Sequence, residues 1–144
     1  MDATVVKLRR FEARGSKGEA IEVMNLITAV GIEDNYIQSG EKQVCLFTEE
    51  GREWMEGVEE KGLCFMRFSE NILVKDLDEK LLPIGTIVSI GSALLKVTAA
   101  KPCFNECVLF NKKVPCMLSR QAKFLVVESG GSISLGDSLT IVTD

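Results

Sequence analysis

The sequence predicts a mainly β protein, closed as a barrel or packed as a sandwich, with a single convincing helix. Three observations carry that expectation. Short β-branched and apolar runs recur between breaks at Gly15–Gly18, Gly91–Ser92, Gly130–Gly131 and Gly136, the pattern of strands separated by turns. Only residues 49–61 combine an acidic start with helical spacing of apolar side chains. With 46% hydrophobic residues in 144, the chain can fill one core, and a single domain over 1–144 is expected. Closing a sheet of about seven short strands would remove its exposed edges.

The first strand is read at 4–11, where β-branched residues lead into a basic segment. Residues 21–27 alternate at Ile21, Glu22 and Val23, but Met24 and Ile27 also suit a helical face; strand is the reading favoured. Val44, Cys45, Leu46 and Phe47 form a short buried run, and Thr48 opens the helix at 49–61. Its apolar members Trp54, Met55 and Val58 make one narrow packing stripe, with the carboxylates left to solvent. Residues 63–68 and 72–74 read as strand, kink, strand, followed by a polar loop at Asp76, Asp78 and Glu79. Residues 86–90 and 93–98 form the clearest local unit, a hairpin turning at Gly91 and Ser92. The last strands are read at 124–127 and 138–142. Residues 84–90 and 135–141 echo each other, each reading as a turn feeding an edge strand.

Composition excludes several chemistries. With no histidine, the chain cannot build a Ser-His-Asp triad, a Cys-His dyad or a His-ligated metal site. The net charge of −4 argues against general nucleic-acid binding, and phosphate loops of the GxxxxGK[ST] or GxGxxG type are absent. No apolar run approaches the roughly 20 residues of a membrane-spanning helix. The N-terminus MDATVVKLRR lacks the order of a signal peptide, so a cytoplasmic protein with reduced thiols is expected.

Charge is unevenly spread. Residues 92–127 hold six basic side chains against Glu106, a local charge of +5, while the rest of the chain carries −9. Such a segment either attracts an anionic ligand or keeps a half-exposed hairpin soluble. Three of the five cysteines lie inside it: Cys103, Cys107 and Cys116. Pro102 marks a turn before Cys103, and Lys101 stands two positions away; nearby ammonium groups favour the thiolate, the form that attacks disulfides, binds metals and carries sulfur. Cys107 and Cys116 either pack or serve Cys103 as resolving thiols. The three thiols would suit zinc, but a fourth ligand is missing and the spacing is not the usual CxxC. Cys45 and Cys64 sit in apolar runs and read as core.

Taken together, GIED at 31–34, QVCLFTEE at 43–50, RFSENI at 67–72, LPIGTIVSIGSALLKVT at 82–98, KPC at 101–103 and GGSISLGDSL at 130–139 resemble a MOSC domain, the module at the C-terminus of molybdenum cofactor sulfurases that also occurs free-standing in bacteria. The resemblance implies a β-barrel with one or two small helices. It puts the family's hallmark cysteine, proposed to carry sulfur as a persulfide or to ligate molybdenum, on Cys103. It also puts Arg67, Glu70 and Asn71 on an Arg-x-x-Glu-Asn segment that would help line the pocket in a supporting role, with Glu70 and Asn71 equally suited to cap a bent strand. Two departures stand out: Asp34, Asn35 and Tyr36 where relatives have Gly-Asp followed closely by histidine, and Lys42 where a relative has arginine.

On this reading the chain is a small MOSC protein that carries sulfur or holds the molybdenum cofactor (molybdopterin). Cys103 is its reactive thiolate and metal ligand, and Lys101, Lys112 and Arg120 meet anionic parts such as a pterin phosphate. The resemblance covers neither the desulfurase domain nor the N-terminal β-barrel of longer relatives. The expected partner is therefore a sulfur donor such as a cysteine desulfurase, or a molybdenum-cofactor enzyme. The rivals are a molybdenum-dependent reductase of N-hydroxylated compounds, which leaves enzyme status open, and a cofactor-free binding module whose cysteines only pack.

Overall fold

The computed structural model describes residues 3–13, 16–57, 70–78, 82–100 and 121–142. Among them run β1 (Ala3–Arg10), β2 (Glu19–Ile21), β3 (Val23–Ile27), β4 (Gly31–Ile32), β5 (Val44–Thr48), α1 (Glu49–Gly57), β6 (Ile72–Lys75), β7 (Ile87–Ile90), β8 (Ala93–Ala100), β9 (Lys123–Ser129), β10 (Gly131–Ser134) and β11 (Ser138–Ile141). Seven strands close a barrel in the order β11-β7-β8-β9-β5-β6-β1, because β1 also pairs with β11, and β2 is attached beside β1. Every barrel pairing is antiparallel except β5 with β6, which the chain joins through α1. Among the described residues the expected mainly β barrel forms, with the expected helix at α1.

Alternation explains which residues face inward. Val44 and Leu46 of β5, Ile72 and Val74 of β6, Val88 and Ile90 of β7, Leu95 and Val97 of β8, and Leu125 and Val127 of β9 all enter one core at a spacing of two. β1 breaks the rule, since its inward residues Val5 and Leu8 are three apart. Its register with β6 shifts between Val5 and Lys7, and that bulge lets the odd spacing keep both side chains inside.

A second sheet, β10-β3-β4, adds Met24, Leu26, Ile32 and Ile133 to the same core. The sequence did not indicate it, for β4 is two residues long and Gly131, read as a break, is the first residue of β10 and pairs with Leu26. The expected strand at 21–27 divides at Glu22 into β2, on the barrel, and β3, in the small sheet. The 84–90 and 135–141 echo also needs correction. Its strands β7 and β11 pair with each other, with Leu139 opposite Ile90, so neither is an edge.

The hairpin is as expected: Ile90 faces Ala93 across Gly91 and Ser92, and Gly91 takes a left-handed φ of 58°. The helix is described to Gly57, with Met55 buried and Glu53 and Glu56 exposed as the stripe predicts; Val58 and the reading at 63–68 lie outside the described residues. No helix among the described residues is long and apolar enough to cross a membrane.

Candidate functional site

One stretch of barrel wall brings the described site residues together. Ala100, Lys123, Leu46, Ile72 and Leu8 are successive register partners across β8, β9, β5, β6 and β1. β6 is thus two strands from β9 and three from β8, roughly 10 and 14 Å at the usual strand spacing. The segment holding Lys101, Cys103, Lys112 and Arg120 leaves this wall after Ala100 and rejoins it at Gln121; those four residues and Arg67, like Cys107 and Cys116, lie outside the described residues.

Glu70 and Asn71, immediately before β6, are described, and both are buried. Glu70 is 2% exposed and accepts from two arginines. Arg9 Nη2 of β1 reaches Oε1 at 2.7 Å, and Arg52 of α1 reaches Oε2 through Nε at 2.9 Å and also through Nη2. A carboxylate this deep requires such partners, since an unpaired buried charge is strongly disfavoured. Each guanidinium also lies near a ring, Arg9 over Phe11 at 5.6 Å and Arg52 over Phe47 at 5.8 Å.

Asn71 completes the backbone where β5, β6 and β1 meet. Its Oδ1 accepts from Cys45 N at 3.0 Å and its Nδ2 donates to Arg9 O at 3.2 Å. Its own backbone N–H donates to Cys45 O at 2.9 Å. Cys45 itself is 7% exposed, on the face of β5 opposite Val44 and Leu46. The side chains of Glu70 and Asn71 are thus committed to protein partners, and what they give the site is position.

Thr48 ties the helix to the returning segment. Its Oγ1 accepts from Gly51 N at 2.9 Å, the N-cap of α1, and donates to Gln121 Oε1. Glu49 and Glu50 occupy the first turn, where the helix dipole favours negative charge. Lys42, which stands where relatives carry arginine, has its Nζ over the Phe124 ring at 5.0 Å, beside the same wall.

Two guanidiniums, those of Arg9 and Arg52, converge on the single buried carboxylate of Glu70. Arg9 Nε is one of two buried side-chain polar atoms without a hydrogen-bond partner among the described residues. Guanidinium donors of this kind are suited to an anionic group such as a phosphate. The described residues contain no cluster of three or more Cys, Asp or Glu suited to a metal ion.

Arg9, Arg52, Thr48 and Gln121 are the residues sequence reasoning missed. Arg9 and Glu70 are 61 positions apart, and no local pattern links them. The one available signal was Arg52, a lone basic residue in an otherwise acidic helix.

On the opposite face of β1, Arg10 pairs with Glu19 (Nη2 to Oε1, 3.2 Å) and with Asp34 (Nη1 to Oδ2, 3.5 Å). The hydrogen bonds that Arg10 donates to Glu19, then the charges of Glu19, Asp34 and Glu33, hold the guanidinium above its ordinary pKa. Asp34 takes a left-handed φ of 64°, a conformation that aspartate tolerates better than most residues.

The fold is shared with solved structures of low identity. The YuaD protein from Bacillus subtilis matches at a TM-score of 0.71 and 15% identity, covering 98% of this chain and 96% of that one. YiiM from Escherichia coli matches at 0.62 and 21%, covering 100% and 71%. YiiM from Geobacillus stearothermophilus matches at 0.61 and 17%, covering 98% and 75%. No curated protein matches the sequence. The sequence profile of the MOSC domain matches residues 12–140, from just after β1 into β11, and the chain belongs to the MOSC domain family.

Proposed function

We propose that this chain is a cytosolic MOSC-domain protein that carries sulfur, or holds the molybdenum cofactor, through Cys103. One observation carries the reading: the segment bearing that cysteine is anchored at Ala100 and Gln121 to the wall where Arg9 and Arg52 share Glu70. Positive charge near a thiol lowers its pKa and raises the thiolate fraction.

The transfer step balances without an external oxidant. The Cys103 thiolate attacks the outer sulfur of a donor persulfide, such as that of a cysteine desulfurase. The donor's S–S bond breaks, its thiolate leaves, and Cys103 holds the sulfur as a persulfide. Glu70 keeps the two guanidiniums facing the wall, and Asn71 fixes the strand junction beneath them. For the cofactor role, Arg9 and Arg52 would meet its phosphate, with Lys101, Lys112 and Arg120 matching it by charge and Arg67 contributing as the family resemblance implies. When bound, the cofactor supplies redox chemistry that the side chains lack.

The test is incubation with a cysteine desulfurase and free cysteine, followed by mass spectrometry and metal analysis of one sample. The parent should gain one sulfur on Cys103 and the Cys103→Ala variant none. Equal gain by both overturns the assignment. Co-purifying molybdenum and pterin would select the cofactor-holding role, and turnover of an N-hydroxylated compound by that sample, given an electron donor, would identify the reductase instead.

A further inference from the structure

A groove of about 530 Å³ lies on the far side of β1, lined by Arg10, Glu12, Glu19, Asp34, Asn35 and Gln38. That volume is within the usual range for small-molecule sites. Three acids against one arginine make the lining acidic, yet no three of its carboxylates are grouped to hold a metal ion. A larger, organic cation suits that spacing better.

The polar groups left over in the lining define the ligand further. Asn35 is 5% exposed, and its Oδ1 accepts from Phe11 N at 2.8 Å, which fixes the orientation of the amide. Its Nδ2 is therefore a donor, and it has no partner among the described residues. A buried donor left unmet is disfavoured, so this atom calls for an acceptor. Gln38 spends its Nε2 on Ile32 O at 2.8 Å and on Asn35 O, leaving Oε1 to accept. Glu12 is exposed and lines the groove, and no ion pair among the described residues uses its carboxylate. Arg10 shows how a cation is received, since Glu19 and Asp34 hold its guanidinium from two sides.

We infer that this groove binds a small organic cation, an amine or guanidinium head with a carbonyl or hydroxyl acceptor close by. The head meets Glu12 and Gln38 Oε1, and the acceptor meets Asn35 Nδ2. The site is separate from the sulfur-transfer wall and does not depend on Cys103.

Two probes test it by titration into the isotope-labelled full chain, followed through backbone amide NMR. Argininamide carries guanidinium, amine and carbonyl; agmatine has the same cationic ends without the carboxamide. Argininamide should give saturable shifts around residues 10–12 and 34–38, with agmatine binding several-fold more weakly. Glu12→Gln should weaken both about tenfold, the scale of one lost charge-assisted contact. Asn35→Asp keeps an acceptor for Phe11 N but removes the donor, and should erase the preference for argininamide. Shifts that fail to saturate by about 10 mM, or that sodium chloride reproduces at equal ionic strength, overturn the inference. Unchanged affinities in Glu12→Gln overturn it as well, and that exposed variant decides the question if Asn35→Asp does not fold.

Discussion

Replacing Glu70 with glutamine keeps the side chain's shape and removes its charge. The carboxylate is 2% exposed and takes contacts from Arg9 at 2.7 Å and Arg52 at 2.9 Å. In Glu70→Gln an amide N–H₂ faces one guanidinium, and the other keeps only a neutral acceptor. Breaking a fully buried pair costs about 3–5 kcal/mol. The arginine side chains here are 21% and 25% exposed, so water recovers part of that, and about 2–3 kcal/mol is expected. For a chain of this length that lowers Tm by roughly 6–12 °C. Urea unfolding should show a lower midpoint with an unchanged slope, while the exposed control Glu53→Gln stays within about 0.5 kcal/mol of the parent. Adding Arg52→Met to the Glu70→Gln background should cost less than Arg52→Met alone, because the partner has already gone. A Glu70→Gln protein within about 0.5 kcal/mol of the parent would refute the view that this carboxylate joins β1, α1 and β6.

Thr48→Ala removes the α1 N-cap and the contact with Gln121, and should cost about 1–2 kcal/mol in denaturant unfolding, with Thr48→Ser recovering most of it. Gly91→Ala should destabilise by more than about 2 kcal/mol, since φ is 58° and a Cβ would strike Ser132 O and lie 2.7 Å from Asp137 Oδ2; a smaller loss in thermal melts would show that the turn can shift. Cys45, 7% exposed, should resist alkylation in the folded protein and react fully in urea; prompt native labelling would mean the wall opens there.

The parts of the fold readable from sequence were those with local causes. The hairpin of β7 and β8 announces itself by β-branched runs around a glycine that the turn requires, and α1 by Thr48 followed by acids. The small sheet was hidden because its pairings are distant, with Gly131 opposite Leu26 and Ile27 opposite Gly31, and because glycine in a short strand looks like an interruption. The bulge in β1 likewise shows only as an odd spacing between Val5 and Leu8. In the candidate site, Glu70 and Asn71 came from a motif, while their partner Arg9 arises from tertiary packing alone and Arg52 stands out only as the lone base of an acidic helix.

The rate at which iodoacetamide alkylates Cys103 as a function of pH, beside free glutathione, tests the central claim most directly. A cationic setting predicts faster labelling than glutathione at neutral pH and a midpoint below the ordinary thiol value of about 8.5. Labelling no faster than glutathione, with an ordinary or raised midpoint, would contradict a sulfur-carrying thiolate at that position.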